Sequence, residues 1–206
     1  MGVATAERAA LCDLFGAVGP DQPTLCGGWL TRDLAAHLVI RERRPDAAPG
    51  ILLPPLAGYT KRVQDGYAAR PWTELVELVR SGPPRFIPAK IDELINTTEM
   101  FVHHEDVRRG QPDWRPRPPD ERRDRALWAA LTRTARLMLR RSPVGVVLRR
   151  SDTGAEIAAR RGPNTVVIAG PPGELLLFAY GRSAVRVEFD GEQSSIAAVQ
   201  GVTRGL

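Results

Sequence analysis

Glu99, His103 and Asp106 recur at intervals of four and three in the stretch NTTEMFVHHEDVRRG, residues 96–110, which also holds two of the chain's three histidines. On a helix turning about 100° per residue, with Glu99 at zero, His103 falls near +40° and Asp106 near −20°. Ile95, Val102 and Val107 fall at about −40°, −60° and +80° on the same scale, so aliphatic side chains edge the stripe and it is expected to face a core. His104, at about +140°, is expected to point away from it. A carboxylate on such a stripe is costly unless its charge is compensated, and a divalent cation compensates it. The i, i+4 spacing sets the Glu99 oxygens and the His103 imidazole one turn apart, close enough to share an ion. His37, in LTRDLAAHLVIRERR, shares a stripe with Leu30, Leu34 and Ile40 and is also expected to face inward. Two histidines and a glutamate plus one open position is the usual layout of a catalytic zinc site. On the residues alone, two plainer alternatives stay open: Glu99 and His103 as a helical hydrogen-bonded pair, and His37 as a hydrogen-bonded core histidine.

The other chemistry-bearing residues read more plainly. Cys26, in TLCGGW, reads as a small buried cysteine; as a fourth, thiolate ligand it would make the site closed and structural. Cys12 reads as core and Trp29 as packing. Asp106 reads either as a hydrogen-bond acceptor for a ligand histidine or as a surface salt bridge to Arg109. The sequence holds no Gly-rich phosphate loop, no G-x-S-x-G elbow and no dinucleotide fingerprint.

Four amphipathic helices can position these residues. The first follows Thr5, a candidate N-cap, and carries the stripe Leu11, Leu14, Phe15, Val18 up to Gly19-Pro20. The second has Thr31 as its candidate N-cap, Asp33 in its first turn and Arg41, Arg43 and Arg44 near its end, and stops at Pro45. The third spans about Pro88 to Arg109. The fourth spans about Asp120 to Arg141, with Leu127, Leu131, Thr134 and Met138 on one face. A long proline-rich connection, residues 45–87, contains the short helical pattern PWTELVELVR. Four helices with one long crossover predict a bundle. After Pro143 the pattern changes: VGVVLRR and AEIAARR flank the turn SDTG as a hairpin, NTVVIAG is a third strand, PPGELLLFAYGR a short helix, and AVRVEFDGE a fourth strand. The expected fold is therefore mostly α with an α+β tail: a four-helix bundle over 1–142 and a small β-rich subdomain over 143–206.

The chain has 206 residues, 43% of them hydrophobic, enough for a sizeable core. No run approaches the ~18 apolar residues of a membrane span. The first residues lack the basic start and apolar block of a secretory signal. Two cysteines make no disulfide framework, so a reducing cytoplasm is the expected location. The net charge is +5, yet only Lys61 and Lys90 are lysines. An arginine skew with abundant Ala, Gly and Pro is what a GC-rich genome produces. With acids interleaved, as in PPDERRDRALW, the charge argues against a nucleic-acid partner.

GWLTRDLAAHL followed far downstream by EMFVHHED resembles the DinB-like metal-binding bundle, particularly its actinobacterial mycothiol-dependent maleylpyruvate isomerase branch. The tryptophan-then-histidine second helix, the E-x3-H-x2-D third helix and the tail's Gly181-Arg182 after an apolar helix are shared. RERRPDAAPG is similar to an uncharacterised actinobacterial metal-binding subgroup. The resemblance covers nearly the whole chain. It implies a four-helix bundle holding one divalent metal, usually zinc, through His37, Glu99 and His103. It also implies mycothiol, a low-molecular-weight thiol, as cofactor, with Arg182 helping to hold that thiol or an anionic substrate. The partners implied are a small thiol and a small electrophilic substrate, with a homodimer left open. Two classes of function follow: a metal-dependent thiol transferase or isomerase, and a non-catalytic metal-binding protein with a structural or stress role.

Overall fold

The structure, a computed structural model, describes residues 2–84 and 88–205. Among these it contains eight α-helices and four strands: α1 (Val3–Val18), α2 (Thr31–Arg43), α3 (Ala57–Ala68), α4 (Trp72–Arg80), α5 (Ala89–Arg109), α6 (Glu121–Met138), β1 (Val146–Arg150), β2 (Glu156–Arg160), β3 (Val166–Gly170), α7 (Pro172–Ala179), β4 (Glu188–Asp190) and α8 (Gln193–Gly201). The chain is thus mostly helical, with a small sheet toward its C-terminus.

Local chemistry sets the ends of the site-bearing helices. Gly19 ends α1 with φ +83° and donates its N–H to Phe15 O at 3.0 Å, a conformation cheap only for glycine. At the start of α2 the capping residue is Leu30, not Thr31. Leu30 N–H donates to Asp33 Oδ2 at 3.0 Å, while Thr31 Oγ1 donates to Gly19 O at 2.6 Å and ties α2 to the end of α1. Asp33 therefore covers an otherwise open N-terminal donor and complements the dipole. Pro88 precedes α5 in extended backbone, as the fixed φ of proline permits at a helix start.

Two compact units divide the chain, residues 1–115 and 116–206. The sequence pattern places the division some thirty residues later, near 143, because it assigns α6 to the bundle. The first unit's core draws on α1 (Leu11, Cys12, Phe15), α2 (Leu34, Ala35, Leu38, Val39), α4 (Leu75, Val76, Val79) and α5 (Met100, Val107). The fourth contributor is thus α4. α6 instead packs on α7 and β2 in the second unit. The long connection is also more ordered than its prolines suggest: besides α4 it holds two 3-10 turns, Ala48–Ile51 and Pro54–Leu56, and α3.

In the second unit the strand order is β2-β1-β3-β4. β1 and β2 form the expected antiparallel hairpin, β3 lies parallel to β1, and the short β4 is antiparallel to β3. Alternate residues of β1 and β3, among them Val146, Leu148, Val166 and Ile168, are fully buried, the period of two that a half-covered sheet requires. α6 starts at a capped end, Asp120 Oδ1 accepting Arg123 N–H at 2.8 Å. No helix among the described residues is long and apolar enough to cross a membrane.

Candidate metal centre

α2 and α5 carry the three predicted ligands to one place. His37 Nε2, Glu99 and His103 offer donor atoms that all lie within 4.8 Å of one another. Glu99 Oε1 is 3.2 Å from His103 Nε2 and 3.5 Å from His37 Nε2. The two imidazole rings stand edge to face, with centroids 5.3 Å apart. The α5 spacing gives Glu99 and His103 their shared face. α5 is half-exposed over its first turns and becomes continuously buried from Met100 to Val107, so the site sits where the helix enters the core. Ile95, expected on the inward stripe, lies in the earlier part and is exposed.

The opposite nitrogen of His103 is also engaged. Nδ1 lies 3.0 Å from Asp106 Oδ2, and Asp106 is completely buried. A proton on Nδ1 satisfies this contact and leaves Nε2 facing Glu99 and His37, the carboxylate–histidine arrangement typical of metal ligands. Asp106 is therefore a buried partner of His103, while Arg109 pairs with Glu105 at 2.6 Å. Cys26, read as a small buried residue, reaches the same pole: Sγ lies 3.0 Å from Asp106 Oδ2 and 3.7 Å from His103 Nδ1. It thus stands behind His103 and not beside His37. The backbone helps, since Leu25 N–H donates to Asp106 O at 3.0 Å. Trp29 packs its ring 5.1 Å from that of His37.

Arg41 is the residue sequence reasoning missed at this site. Its Nε lies 3.1 Å from Glu99 Oε1, and its Nη1 donates to Asn96 Oδ1. The signal was present: Arg41 follows His37 by four positions and so shares its face. Behind it, Asn96 Nδ2 donates to Glu42 and Asp92, and Arg8 forks onto Glu42 at 2.6 and 2.7 Å. A buried polar network so joins α1, α2 and α5 beneath the site. His104 points away from the ligands, as predicted, yet it is buried, with Nδ1 2.8 Å from Glu7 Oε2 on α1.

These contacts set the protonation states. Burial alone would raise the Glu99 carboxyl, but hydrogen bonds from His103 and His37 and the charges of His103 and Arg41 hold it well below the usual carboxylate value. Burial would lower His103, but hydrogen bonds to Asp106, Cys26 and Glu99, with the Glu99 charge, hold it well above 6.5. For His37 burial wins over the Glu99 hydrogen bond, so its value is lowered. These contacts favour the cationic form of His103, the neutral form of His37 and the ionised form of Glu99.

This donor set fits a divalent cation. Three hard-to-borderline donors converge, the non-ligand nitrogen of His103 already has its acceptor, and a carboxylate can serve Arg41 and an ion at once. A cavity of about 490 Å³ reaches His37, lined by Trp29, Asp33, Gly50, Ile51, Ala57, Thr60, Lys61, Gln64 and Asp65. Arg182 lies in the second unit at the end of α7. Gly181 (φ +89°) donates to Phe178 O and Arg182 N–H to Leu177 O, each at 3.0 Å, the glycine-terminated helix end called the Schellman motif. Arg182 Nη1 donates to Tyr180 O at 2.7 Å.

In this chain a helical unit is followed by an α+β unit on a four-stranded sheet. Two solved structures share this fold over 92% of this chain and 91% of theirs: a histidine-to-alanine mutant of mycothiol-dependent maleylpyruvate isomerase, at TM-score 0.63 and 16% identity, and the mycothiol-dependent maleylpyruvate isomerase itself, at 0.56 and 15%. The resemblance carried by the motifs of α2 and α5 is therefore matched at the level of the fold. No protein-family model matches the chain, and no curated protein does.

Proposed function

We propose that the first unit holds one divalent cation, zinc by the character of its donors, through His37 Nε2, Glu99 and His103 Nε2, and that the protein is a thiol-dependent transferase or isomerase. The observation that carries this reading is the convergence of those three donors from two helices, with Asp106 on the far nitrogen of His103. When bound, such a cation turns a coordinated thiol into its thiolate. The chain's own residues do the rest. Asp106 keeps the Nδ1 proton of His103 and so aims Nε2. Arg41 fixes the Glu99 carboxylate and offsets its charge. Trp29 braces the His37 ring. Cys26 stands on the Nδ1 side, so the Nε2 side carries three protein donors and keeps a position for an outside ligand. The cavity beside His37 gives a small electrophile a place next to it. Mycothiol is the proposed thiol because the fold neighbours depend on it. Arg182 is proposed to contact that thiol's polar body or an anionic substrate.

One observation favours the second reading, a non-catalytic metal-binding protein. Cys26, His103 and Asp106 form another convergent donor set, and a cation there would sit in a closed, structural environment. Metal analysis followed by titration of cobalt-substituted protein with mycothiol separates the two. A sulfur-to-metal charge-transfer band that appears only with added thiol supports the enzyme reading. A band present before thiol is added and lost in Cys26→Ser supports the structural one. No metal in the purified protein, or no thiol response at all, refutes the thiol enzyme.

A further inference from the structure

The protein's positive charge is not spread over the chain. Residues 116–206 contain fifteen arginines and nine acidic residues, a net charge of +6, while the remaining 14 basic and 15 acidic residues give −1. Within this unit most sheet arginines are paired: Arg149 with Glu156 at 2.7 Å and Arg150 with Asp152 at 2.6 Å. The strand arginine Arg160, its neighbour Arg161 and Arg136 on α6 are not. With Ala158 and Ala159 they line a cavity of about 340 Å³ that has no acidic residue in its wall. Among the described residues none of the three guanidiniums forms an ion pair or a hydrogen bond.

We infer that this cavity is a binding site for a small, multiply charged oxyanion of the phosphate class. Its volume falls within the range of small-molecule sites. Guanidinium is the side chain best matched to a tetrahedral oxyanion, because its planar fork donates two parallel hydrogen bonds and stays charged. The other two lining residues, Ala158 and Ala159, have no polar side-chain atom to compete for those donors. Three like charges around one cavity repel one another, and a bound dianion converts that repulsion into attraction. Protection of the sheet edge explains part of the pattern, since β2 is an edge strand and charged edges resist pairing. It does not explain Arg136, which comes from α6 and meets the strand arginines at the same cavity. Nor does codon bias, which adds arginines without excluding acids from one place.

The test is calorimetric titration of inorganic phosphate into the full-length protein, with sodium chloride adjusted to hold ionic strength constant. Saturable one-site binding is expected. Arg136→Gln and Arg160→Gln should each weaken it about tenfold, the worth of one charge-assisted contact. Arg149→Gln, which removes a paired arginine outside the cavity, should leave it unchanged. Phosphate heat no larger than that of chloride overturns the inference, and so does binding that survives both cavity variants. Loss of binding in His37→Ala would place phosphate at the metal centre and overturn it as well. A duplex DNA that binds through these arginines when free phosphate does not would reassign the site to a nucleic-acid backbone and overturn the small-anion assignment.

Discussion

Zinc binding should release one proton per ion at pH 7, and that proton should come from Nε2 of His103. Both nitrogens of the His103 imidazole have acceptors, Asp106 Oδ2 at 3.0 Å on Nδ1 and Glu99 Oε1 at 3.2 Å on Nε2. Those contacts hold its pKa well above 6.5 against the opposing effect of burial. His37 is shifted the other way by burial and is neutral, and Glu99 is already ionised. Only His103 therefore has a proton to lose, and it keeps the one on Nδ1. Because ligand and proton compete for one lone pair, zinc affinity should fall about tenfold per pH unit below the His103 pKa, ~1.4 kcal/mol for each unit. Titrations in two buffers of different ionisation enthalpy measure the release directly: the observed heats differ by the number of protons times the difference between the buffers. Asp106→Asn removes the charge that sustains the imidazolium, so release at neutral pH should drop well below one. A release near zero with a flat pH dependence would show that His103 is not the proton-bearing ligand. A release near two would show that His37 is charged in spite of its burial. Either result refutes the assignment of protonation states.

Three further outcomes follow from the packing. Cys12 is fully buried and its thiol is pushed up to about 11 by burial; Cys26 is partly exposed. A disulfide reagent at pH 8 should titrate one thiol in the folded, metal-free protein and two after unfolding, and Cys26→Ser should bring the folded count to zero. Phe15 is fully buried and meets Trp72 edge to face at 5.4 Å, so Phe15→Ala should cost ~3–5 kcal/mol in denaturant unfolding. Gly181 has φ +89°, and a Cβ there would lie 2.9 Å from Arg204 O; Gly181→Ala should destabilise the protein by about 1 kcal/mol or more, visible as a lower Tm with the metal content unchanged.

The fold was most legible where one helix face carries all the apolar residues. α1, α2, α5 and α6 lie within a few residues of their expected bounds, because caps and prolines mark their ends. The partner of each face was not legible. α6 has a clean stripe of Leu127, Leu131 and Met138, all buried, but a stripe states only that something covers it. Here the cover is α7 and β2, whereas α4, nine residues long, supplies Leu75, Val76 and Val79 to the core that α6 was expected to complete. α3 left no mark for a different reason: Thr60 is its one buried residue, so its sequence has no apolar period to read.

The site follows the same division between angle and environment. Helical spacing alone brought Glu99, His103 and Asp106 to one face, and it sent His104 to another. It could not tell whether that other face met water or protein, and His104 met Glu7. Arg41 shows the limit from the opposite side. Its i, i+4 relation to His37 was readable, yet an arginine near a helix end has a sufficient explanation in the dipole, so the spacing was not pressed. Cys26 had no periodic signal, because it lies in a loop. What places it against Asp106 is the backbone bond from Leu25 to Asp106 O, a contact between segments eighty residues apart. Periodicity fixes which side chains share a face of one element. The pairing of a loop with a helix depends on the whole packed unit, and it is that pairing which gives His103 a different partner on each nitrogen.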